Sequence, residues 1–252
     1  MMKSRKFIFL YSLGLGLLLG AVTSGWAGEA TDNRLYGELL NKYVNNGSVD
    51  YQGLKNEEAV LDEYLKILEN TNVKALSADE QFAFYVNSYN AWTIKLILGA
   101  YPEIKSIKEL GNIFKTPWQK KIVRINGEVI TLDDVEHEIL RKKFKDPRVH
   151  FAVNCASKSC PPLLSEPYRG SKLNQQLDQS TRAFVNDSNS NYLKGNQLYV
   201  SKIFKWFPED FDDDILGFFL LYAEGDFKKE LEARKDKIEI EYLHYDWSLN
   251  GA

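Results

Sequence analysis

The sequence predicts an α+β fold, namely a mostly helical single domain with a small antiparallel sheet built from hairpins. Two patterns carry this prediction. Long segments place apolar residues at helical spacing, and Asn-Gly and Gly-Asn pairs separate short segments that have the composition of strands. Helices and strand pairs follow each other without regular βα alternation, which is typical of α+β rather than α/β proteins.

The chain begins with a segment that is typical of a secretory signal peptide. Three basic residues precede an apolar run over residues 7–22, and small residues follow. We therefore expect residues 1–27 to be a signal peptide and residues 28–252 to form one domain. This predicts a periplasmic or extracellular protein that has no membrane attachment after cleavage, with an uncleaved anchor as the alternative.

The composition argues against nucleic acid as a partner. The chain has 32 basic and 35 acidic residues and a net charge of −3, and loss of the leader makes the charge more negative. No basic stripe remains for a phosphate backbone. An aromatic content of 13% argues against disorder. The length suits one domain with a full core.

The first half of the domain is predicted to be helical. Apolar residues recur at helical spacing over residues 35–43 and 57–68. Ser77 and Glu80 form a capping-box pattern that starts a helix ending near Leu98. That helix is apolar on nearly all sides, which indicates burial.

Asn87 and Asn90 lie on this apolar helix. A buried amide must find hydrogen-bond partners, or it costs about 1–3 kcal/mol. Either these side chains bind loop backbone and support the packing, or one of them lines a functional site and orients a catalytic group.

The second half mixes hairpins and helices. Asn126-Gly127 predicts one hairpin, because both positions of a tight hairpin turn need positive φ. Gly195-Asn196 predicts a second hairpin. Helices are predicted over residues 132–144, 171–185, 211–222 and 227–234, and strands over residues 148–154 and 238–242.

Glu136 lies near the middle of the apolar arc of the helix predicted over residues 132–144, and His137 lies at its edge. A carboxylate on a core-facing arc is unusual unless it is paired. Glu136 therefore forms an ion pair with Lys143 or Arg148, or else Glu136 and His137 belong to a polar site under the helix.

The two cysteines of the chain lie in the segment VHFAVNCASKSCPPL, residues 149–163. The strand predicted over residues 148–154 ends just before Cys155. Two consecutive prolines then prevent a long helix from starting and favour an extended conformation at Cys160. We therefore expect a tight polar turn between the two cysteines.

One interpretation of this turn is a disulfide between Cys155 and Cys160. An even number of cysteines in an exported chain is consistent with a bond, and a tight turn can bring the Cα atoms within about 7 Å. Closing so small a loop stabilises a fold by only about 2 kcal/mol. Such a bond would therefore shape or switch the turn.

Another interpretation is a reactive thiol at Cys155. A nucleophilic cysteine needs a lowered pKa, a nearby base and oxyanion donors. His137 and His150 are the candidate bases, and Glu136 is a candidate orienting group. The backbone amides, serines and lysine of the turn are the expected donors. Cys160, held before two prolines, suits a resolving or structural role.

Two further interpretations stay open. The cysteines and histidines are together candidate zinc ligands, although their spacing is wider than in most structural sites. The chain is alternatively a non-enzymatic module whose aromatic residues wall a pocket for a small thiol or a peptide. The candidate wall residues are Tyr89, Trp92, Trp118 and Trp206.

Several segments together resemble one family, the domain of unknown function 547 (DUF547) family. These segments are FYVNSYNAW, VEHEILR, VHFAVNCASKSCPPL, KWFPEDF and DWSLN, and the resemblance spans roughly residues 31–250. It implies a compact single domain. Relatives that carry a glutaredoxin-like domain suggest thiol chemistry by association. The family pattern covers Asn87, Asn90, Glu136, His137, His150, Asn154, Cys155, Ser157, Ser159 and Cys160.

The leading hypothesis is thiol chemistry at Cys155, either hydrolysis or transfer, or redox exchange. The predicted catalytic residues are Cys155, His137, His150 and Glu136, and the predicted binding residues are Asn87, Asn90, Asn154, Ser157, Lys158 and Ser159. The alternative is a binding module for a small molecule or peptide with a structural Cys155–Cys160 disulfide. No cofactor is expected, with zinc as the minor alternative.

Overall fold

The computed structural model describes residues 31–251 and has the predicted mostly helical α+β fold. The predicted signal peptide, residues 1–27, lies outside the described residues. Among residues 31–251, no helix combines the length and the apolar character needed to cross a bilayer.

The helices and strands are distributed along the whole described chain. The α-helices within residues 31–251 are α1 (Arg34–Tyr43), α2 (Tyr51–Asn56), α3 (Glu58–Asn70), α4 (Ala78–Leu98), α5 (Leu173–Val185), α6 (Ile203–Trp206), α7 (Ile215–Tyr222) and α8 (Gly225–Arg234). A π-helix covers Asp134–Phe144. The strands are β1 (Val44–Asn45), β2 (Ser48–Val49), β3 (Lys121–Ile125), β4 (Glu128–Thr131), β5 (Tyr192–Lys194), β6 (Gln197–Val200) and β7 (Glu239–Tyr242).

Helix α4 is the centre of the first hydrophobic core. It begins at the predicted capping box, in which Ser77 accepts a hydrogen bond from the Glu80 amide and Glu80 accepts one from the Ser77 amide. Helix α3, strand β3 and the π-helix pack against α4. Their contacts bury α4 on nearly all sides, as its apolar sequence predicts.

The strands form small sheets, and the predicted hairpins are confirmed. Strands β3 and β4 pair antiparallel around Asn126 and Gly127, whose φ angles are +53° and +79°. Strands β5 and β6 pair antiparallel around Gly195, which has φ +64°. Strand β7 joins β6 in parallel after the chain crosses over through α7 and α8.

A second core of aromatic side chains lies next to the first. The Phe151 ring centroid is 5.4 Å from that of Phe184 on α5 and 5.7 Å from that of Phe218 on α7. Val153 packs in the first core, whereas Phe151 and part of Cys155 pack in the second. The cysteine segment therefore passes between the two cores, which fixes its position in the fold.

The strand predicted over residues 148–154 is wrong. The chain forms a 3₁₀ turn over Pro147–Phe151. Pro147 lies at the first helical position, and the Asp146 carboxylate accepts a hydrogen bond from the Arg148 amide. These are signals for a helix start. The helix-start signals outweigh the strand-like apolar pattern, because no neighbouring strand pairs with this segment within residues 31–251.

Two predicted helices differ in detail. The helix predicted over residues 132–144 exists, but Asp134–Phe144 adopts the wider π conformation. The helix predicted to begin at residue 211 begins at Ile215. Asp212 and Asp213 have φ +53° and +55°, which interrupts the helix, and Asp214 then caps α7 by accepting from the Gly217 amide.

We expect Gly127→Ala to lower the free energy of unfolding by about 1 kcal/mol, because Gly127 has a left-handed φ of +79°. No atom lies within 4 Å of the added Cβ, so backbone strain alone is measured. Gly99→Ala is the matched control, since Gly99 has φ −62° and its added Cβ makes ordinary contacts. Urea denaturation should show no loss for Gly99→Ala; equal losses would contradict the prediction.

Candidate functional site

Asn154 organises the loop that carries the cysteines. Its amide donates to Asn90 Oδ1 at 2.7 Å, and its side-chain amide donates to the Pro161 carbonyl at 2.8 Å. Its side-chain oxygen accepts from the Ala156 amide at 2.9 Å. Side-chain hydrogen bonds thus tie the two ends of the loop to each other and to α4.

The segment 246–250 closes the loop from its other side. The Lys158 amide donates to the Ser248 carbonyl at 2.8 Å, and the Ser159 amide donates to the Asp246 carbonyl at 3.2 Å. The Asp246 amide in turn donates to Ser159 Oγ at 2.8 Å. These bonds join residues that are about ninety positions apart in sequence, so the cysteine loop is a tertiary structure.

The sulfur of Cys155 lies in a polar cluster of hydroxyl groups. Its distance is 3.0 Å to Ser157 Oγ and 3.3 Å to the Tyr245 hydroxyl, and Ser157 Oγ also donates to Tyr245 at 3.2 Å. The backbone amide of Cys155 donates to the sulfur of Cys160 at 2.9 Å. Both cysteines are free thiols in this structure, so the disulfide stays a prediction.

The two thiols differ in acidity. The pKa of Cys155 is lowered to about 7, chiefly by the Cys160 thiol, which can donate a hydrogen bond to the Cys155 thiolate. Burial raises the pKa of Cys155, but the Ser157 and Tyr245 hydroxyls act in the same direction as Cys160, and together these groups outweigh burial. Burial and the nearby Cys155 thiolate raise the pKa of Cys160. Cys155 is therefore the better nucleophile of the pair.

Both cysteines line a cavity of about 230 Å³ between the two cores. This is smaller than the pockets of about 300–1,000 Å³ that hold drug-sized ligands. Aromatic rings form most of its wall, and polar side chains from several elements complete it. The cavity is lined by Tyr89, Thr116, Trp118, Asp133, Glu136, His137, His150, Val153, Cys155, Cys160, Pro161, Ile203, Trp206, Phe207, Tyr245 and Trp247.

His150 is buried and is held by a carboxylate. Its Nε2 lies 2.6 Å from Asp210 Oδ2, and its ring stacks on Phe207 with a centroid distance of 4.5 Å. Arg141 Nε donates to the same Asp210 oxygen at 2.5 Å. Burial raises the pKa of Asp210, but the bonds from His150 and Arg141 lower it to about 2. Asp210 is therefore an anion in the neutral pH range.

His137 belongs to the same network. Arg141 Nη1 lies 3.2 Å from His137 Nδ1 and donates to it, since a guanidinium has no acceptor. The Nε2 atom of His137 lies 3.9 Å from Asp133 Oδ1. Within residues 31–251, neither His137 nor His150 hydrogen-bonds a cysteine sulfur, although both histidines line the cavity with Cys155.

Glu136 lines the cavity without an ion-pair partner among the described residues. The Arg148 guanidinium, one of its predicted partners, binds Asp146 and Asp178 instead. Burial raises the pKa of Tyr89 well above its usual value, and the charge of Glu136 raises it further. Glu136 and His137 thus both contribute to the polar wall of one cavity, the second of the two predicted alternatives.

The two asparagines of α4 form hydrogen bonds with the backbone of neighbouring segments. Asn87 exchanges two hydrogen bonds with the backbone of Tyr168, at 2.8 and 2.9 Å. Asn90 donates to the Ala152 carbonyl at 2.9 Å and accepts from Asn154. Both asparagines are buried and neither lines the cavity. Their geometry matches the packing interpretation of these two residues.

The predicted binding residues of the loop lie around the cavity rather than in its wall. Ser157 contacts the Cys155 sulfur without lining the cavity, while Asn154 and Ser159 make hydrogen bonds that hold the loop in place. Lys158 is exposed and lines a separate cavity of about 490 Å³, to which Cys160 also contributes. Cys160 therefore borders both cavities.

The backbone amides of the loop are mostly in use. The Ala156 amide donates to Asn154, and the Cys160 amide donates to the Ser157 carbonyl. The amides of Cys155, Lys158 and Ser159 donate to Cys160 Sγ and to two carbonyls of segment 246–250. The expectation that this turn offers free oxyanion donors is therefore wrong for the amides of Cys155, Ala156, Lys158, Ser159 and Cys160, five of the six amides of the turn.

Several site residues were missed by the sequence analysis. Tyr245 touches the Cys155 sulfur, Asp210 holds His150, and Trp247 completes the aromatic wall. Two of them adjoin or lie in the segment DWSLN, and Asp210 lies in KWFPEDF. Of the predicted wall aromatics, Tyr89, Trp118 and Trp206 line the cavity, and Trp92 does not.

No group of three or more His, Cys, Asp and Glu side chains is arranged to hold a metal ion in the part of the chain that the structure describes. Two cysteines and two histidines line one cavity, but the histidines are bound to Asp210 and Arg141. A zinc site stays an untested alternative.

One family model matches the central part of the chain. Residues 73–185 match the family described as "Protein of unknown function, DUF547". The matched range contains the segments FYVNSYNAW, VEHEILR and VHFAVNCASKSCPPL, while KWFPEDF and DWSLN lie outside it. The resemblance is thus confirmed over residues 73–185. No curated protein and no solved structure matches the chain.

We expect Asn90→Ala to lower the free energy of unfolding by about 2–4 kcal/mol. The change leaves the Ala152 carbonyl and the Asn154 amide buried without their partner. Asn70→Ala is the control, because Asn70 is exposed and makes one bond to its own helix; it should cost about 0.5 kcal/mol or less. Equal effects of the two changes in urea denaturation would refute the anchoring role.

We expect the alkylation rate of Cys155 by iodoacetamide to reach half its maximum near pH 7, because the pKa of Cys155 is lowered to about 7 and the thiolate is the reacting form. An ordinary cysteine reaches that point near about pH 8.5. Tyr245→Phe removes a donor to the thiolate and should move the midpoint to higher pH. Tyr199→Phe, whose hydroxyl binds Gln197, should leave it in place.

Both midpoints are measured by intact mass after timed alkylation, with peptide mapping to assign the modified cysteine. The rate is followed from pH 5 to pH 10. A midpoint that is the same in wild type and Tyr245→Phe would show that the tyrosine hydroxyl does not stabilise the thiolate.

Proposed function

We propose a function from the chemistry of the cavity itself, because the family whose model matches residues 73–185 has no known function. The protein carries out thiol–disulfide exchange, with Cys155 as the attacking thiolate and Cys160 as the resolving thiol. The substrate is a small molecule or a short peptide segment that enters the aromatic-walled cavity.

The observation that carries this proposal is the direct contact between the two cysteines. The Cys155 amide donates to the Cys160 sulfur at 2.9 Å, and both residues line one cavity. The pKa of Cys155 is lowered and that of Cys160 is raised. An acidic attacking thiol beside a less acidic partner is the arrangement that dithiol exchange requires.

The reaction proceeds in two exchanges. The Cys155 thiolate attacks one sulfur of a substrate disulfide, so that a mixed disulfide forms and the other substrate sulfur leaves as a thiolate. Cys160 then loses its proton to that thiolate and attacks the Cys155 sulfur. A Cys155–Cys160 disulfide forms, and the second substrate sulfur leaves. The substrate is reduced by two electrons and the protein is oxidised by two; the reverse sequence oxidises a substrate dithiol.

Acyl transfer at Cys155 has weaker support. It needs a base that reaches the thiol and donors that face an oxyanion. His150 is bound by Asp210 and His137 by Arg141, and the loop amides are mostly engaged within the protein. The low pKa of Cys155 also makes a separate base unnecessary for exchange with a disulfide.

The redox proposal also accommodates the predicted location. An exported protein meets oxidising conditions in which disulfides form and persist. We propose that the chain is exported and that its cysteine pair exchanges disulfides there. In this proposal the loop alternates between a dithiol form and a form with the predicted Cys155–Cys160 disulfide. The alternative function, a binding module with a structural disulfide, applies if that bond is never reduced.

We expect Cys160→Ser to accumulate a mixed disulfide when the protein is treated with 2-hydroxyethyl disulfide, because no second thiol resolves it. The wild type should instead become two hydrogens lighter, and Cys155→Ser should react far more slowly, because the pKa of the remaining Cys160 is raised. Intact mass spectrometry separates the three products by mass.

Each possible result decides between the functions. Accumulation in Cys160→Ser alone supports exchange with Cys155 as the attacking residue. A wild-type pair that is already bonded and resists a small excess of dithiothreitol would favour the stapled binding module. If Cys155→Ser and Cys160→Ser form the mixed disulfide at equal rates, the assignment of Cys155 as the attacking thiol and Cys160 as the resolving thiol is refuted.

A further inference from the structure

The cavity that both cysteines line also has two carboxylates in its wall. Asp133 lies directly before the π-helix and Glu136 lies in its first turn, and both line the cavity. Within residues 31–251, Glu136 has no ion-pair partner, and the one group within ion-pair distance of Asp133 is His137, whose Nε2 lies 3.9 Å from Asp133 Oδ1. Two carboxylates in a partly buried wall repel each other and lose solvation.

The remaining wall is made of electron-rich rings. The centroid of Trp247 lies 5.7 Å from that of Trp118 and 5.7 Å from that of Trp206. Lys108 Nζ already lies 4.1 Å from the Trp247 centroid. A ring face next to carboxylates attracts a cation by both the ring quadrupole and the carboxylate charge.

The protein itself supplies little positive charge to this wall. No lysine or arginine is among the lining residues in the described part of the chain. Arg141, which lies over Phe207, is bound to Asp210 and Glu209. Lys108 lies over Trp247 without lining the cavity. Among residues 31–251, the wall therefore has two carboxylates and no lysine or arginine to balance them.

We propose that the cavity selects a substrate with a cationic group, an amine or a guanidinium, which Asp133 and Glu136 bind beside the tryptophan rings while its sulfur reaches Cys155. This substrate class rests on the proposed exchange reaction for its sulfur chemistry. The binding of the cation does not rest on that reaction, because the carboxylates and rings are present whatever the thiols do. The two parts can therefore be tested separately.

The first test compares disulfides that differ mainly in charge. Cystamine carries two ammonium groups, 2-hydroxyethyl disulfide is neutral, and 3,3′-dithiodipropionate carries two carboxylates. For each thiol, the oxidation rate with cystamine is divided by the rate with the dicarboxylate. We expect this ratio to be at least tenfold larger for the wild-type protein than for free 2-mercaptoethanol, to within about a factor of two. The double variant Asp133→Asn, Glu136→Gln should lose this preference.

A matched variant controls for net charge. Glu128→Gln with Asp236→Asn also removes two carboxylates, both from exposed positions outside the cavity wall. It should keep the wild-type preference for cystamine. If both double variants lose the preference equally, long-range charge explains the selectivity and the cation site is refuted.

The second test uses a cation without sulfur. We expect 1,6-diaminohexane at millimolar concentration to change the tryptophan fluorescence of the wild type, while 1,6-hexanediol does not, and we expect no change in the Asp133→Asn, Glu136→Gln variant. Binding of the diamine without reaction of any disulfide would support the cation site and refute the exchange function. Exchange without charge preference and without diamine binding would refute the cation site alone.

Discussion

The site depends on how the backbone of the cysteine loop is satisfied. This loop lies between two hydrophobic cores and outside the sheets of residues 31–251, so its buried amides and carbonyls need partners from other parts of the chain. Asn90 reaches it from α4, Asn154 ties its two ends, and the segment 246–250 pairs with its outer side. The positions of both sulfurs follow from these bonds, because the loop has little other means of holding its shape.

The two cysteine thiols have different acidities because different groups surround them. Cys155 is close to the hydroxyls of Ser157 and Tyr245, which favour a thiolate. Cys160 accepts a hydrogen bond from one amide and donates one to the Val153 carbonyl at 3.8 Å, and burial and the nearby Cys155 favour its neutral thiol. Arg141 and Asp210 similarly hold the two histidines in one charged network. These contacts explain how one cavity combines an acidic thiol, a less acidic thiol and a mostly aromatic wall.

Local sequence signals predicted the local structures. The Ser77–Glu80 capping box and the Asn126-Gly127 turn formed as expected, because each depends on a few adjacent residues. The strand before Cys155 did not form, since a strand needs a partner that the apolar pattern alone cannot specify. Tyr245 and Asp210 were missed because they meet the site through contacts 90 and 60 residues away in sequence. Glu136 was noticed for its misplaced charge, and it lines the cavity.

The hydrogen bond from the Cys155 amide to the Cys160 sulfur has an energetic consequence for the loop. A neutral thiol sulfur is a weak acceptor, whereas a thiolate accepts a stronger, charge-assisted hydrogen bond. The amide of Cys155 therefore acts on Cys160 most strongly when Cys160 loses its proton, and it lowers the pKa of Cys160 against the effect of burial. In the proposed exchange, the backbone bond that positions the resolving sulfur at rest would also stabilise that sulfur in its attacking form.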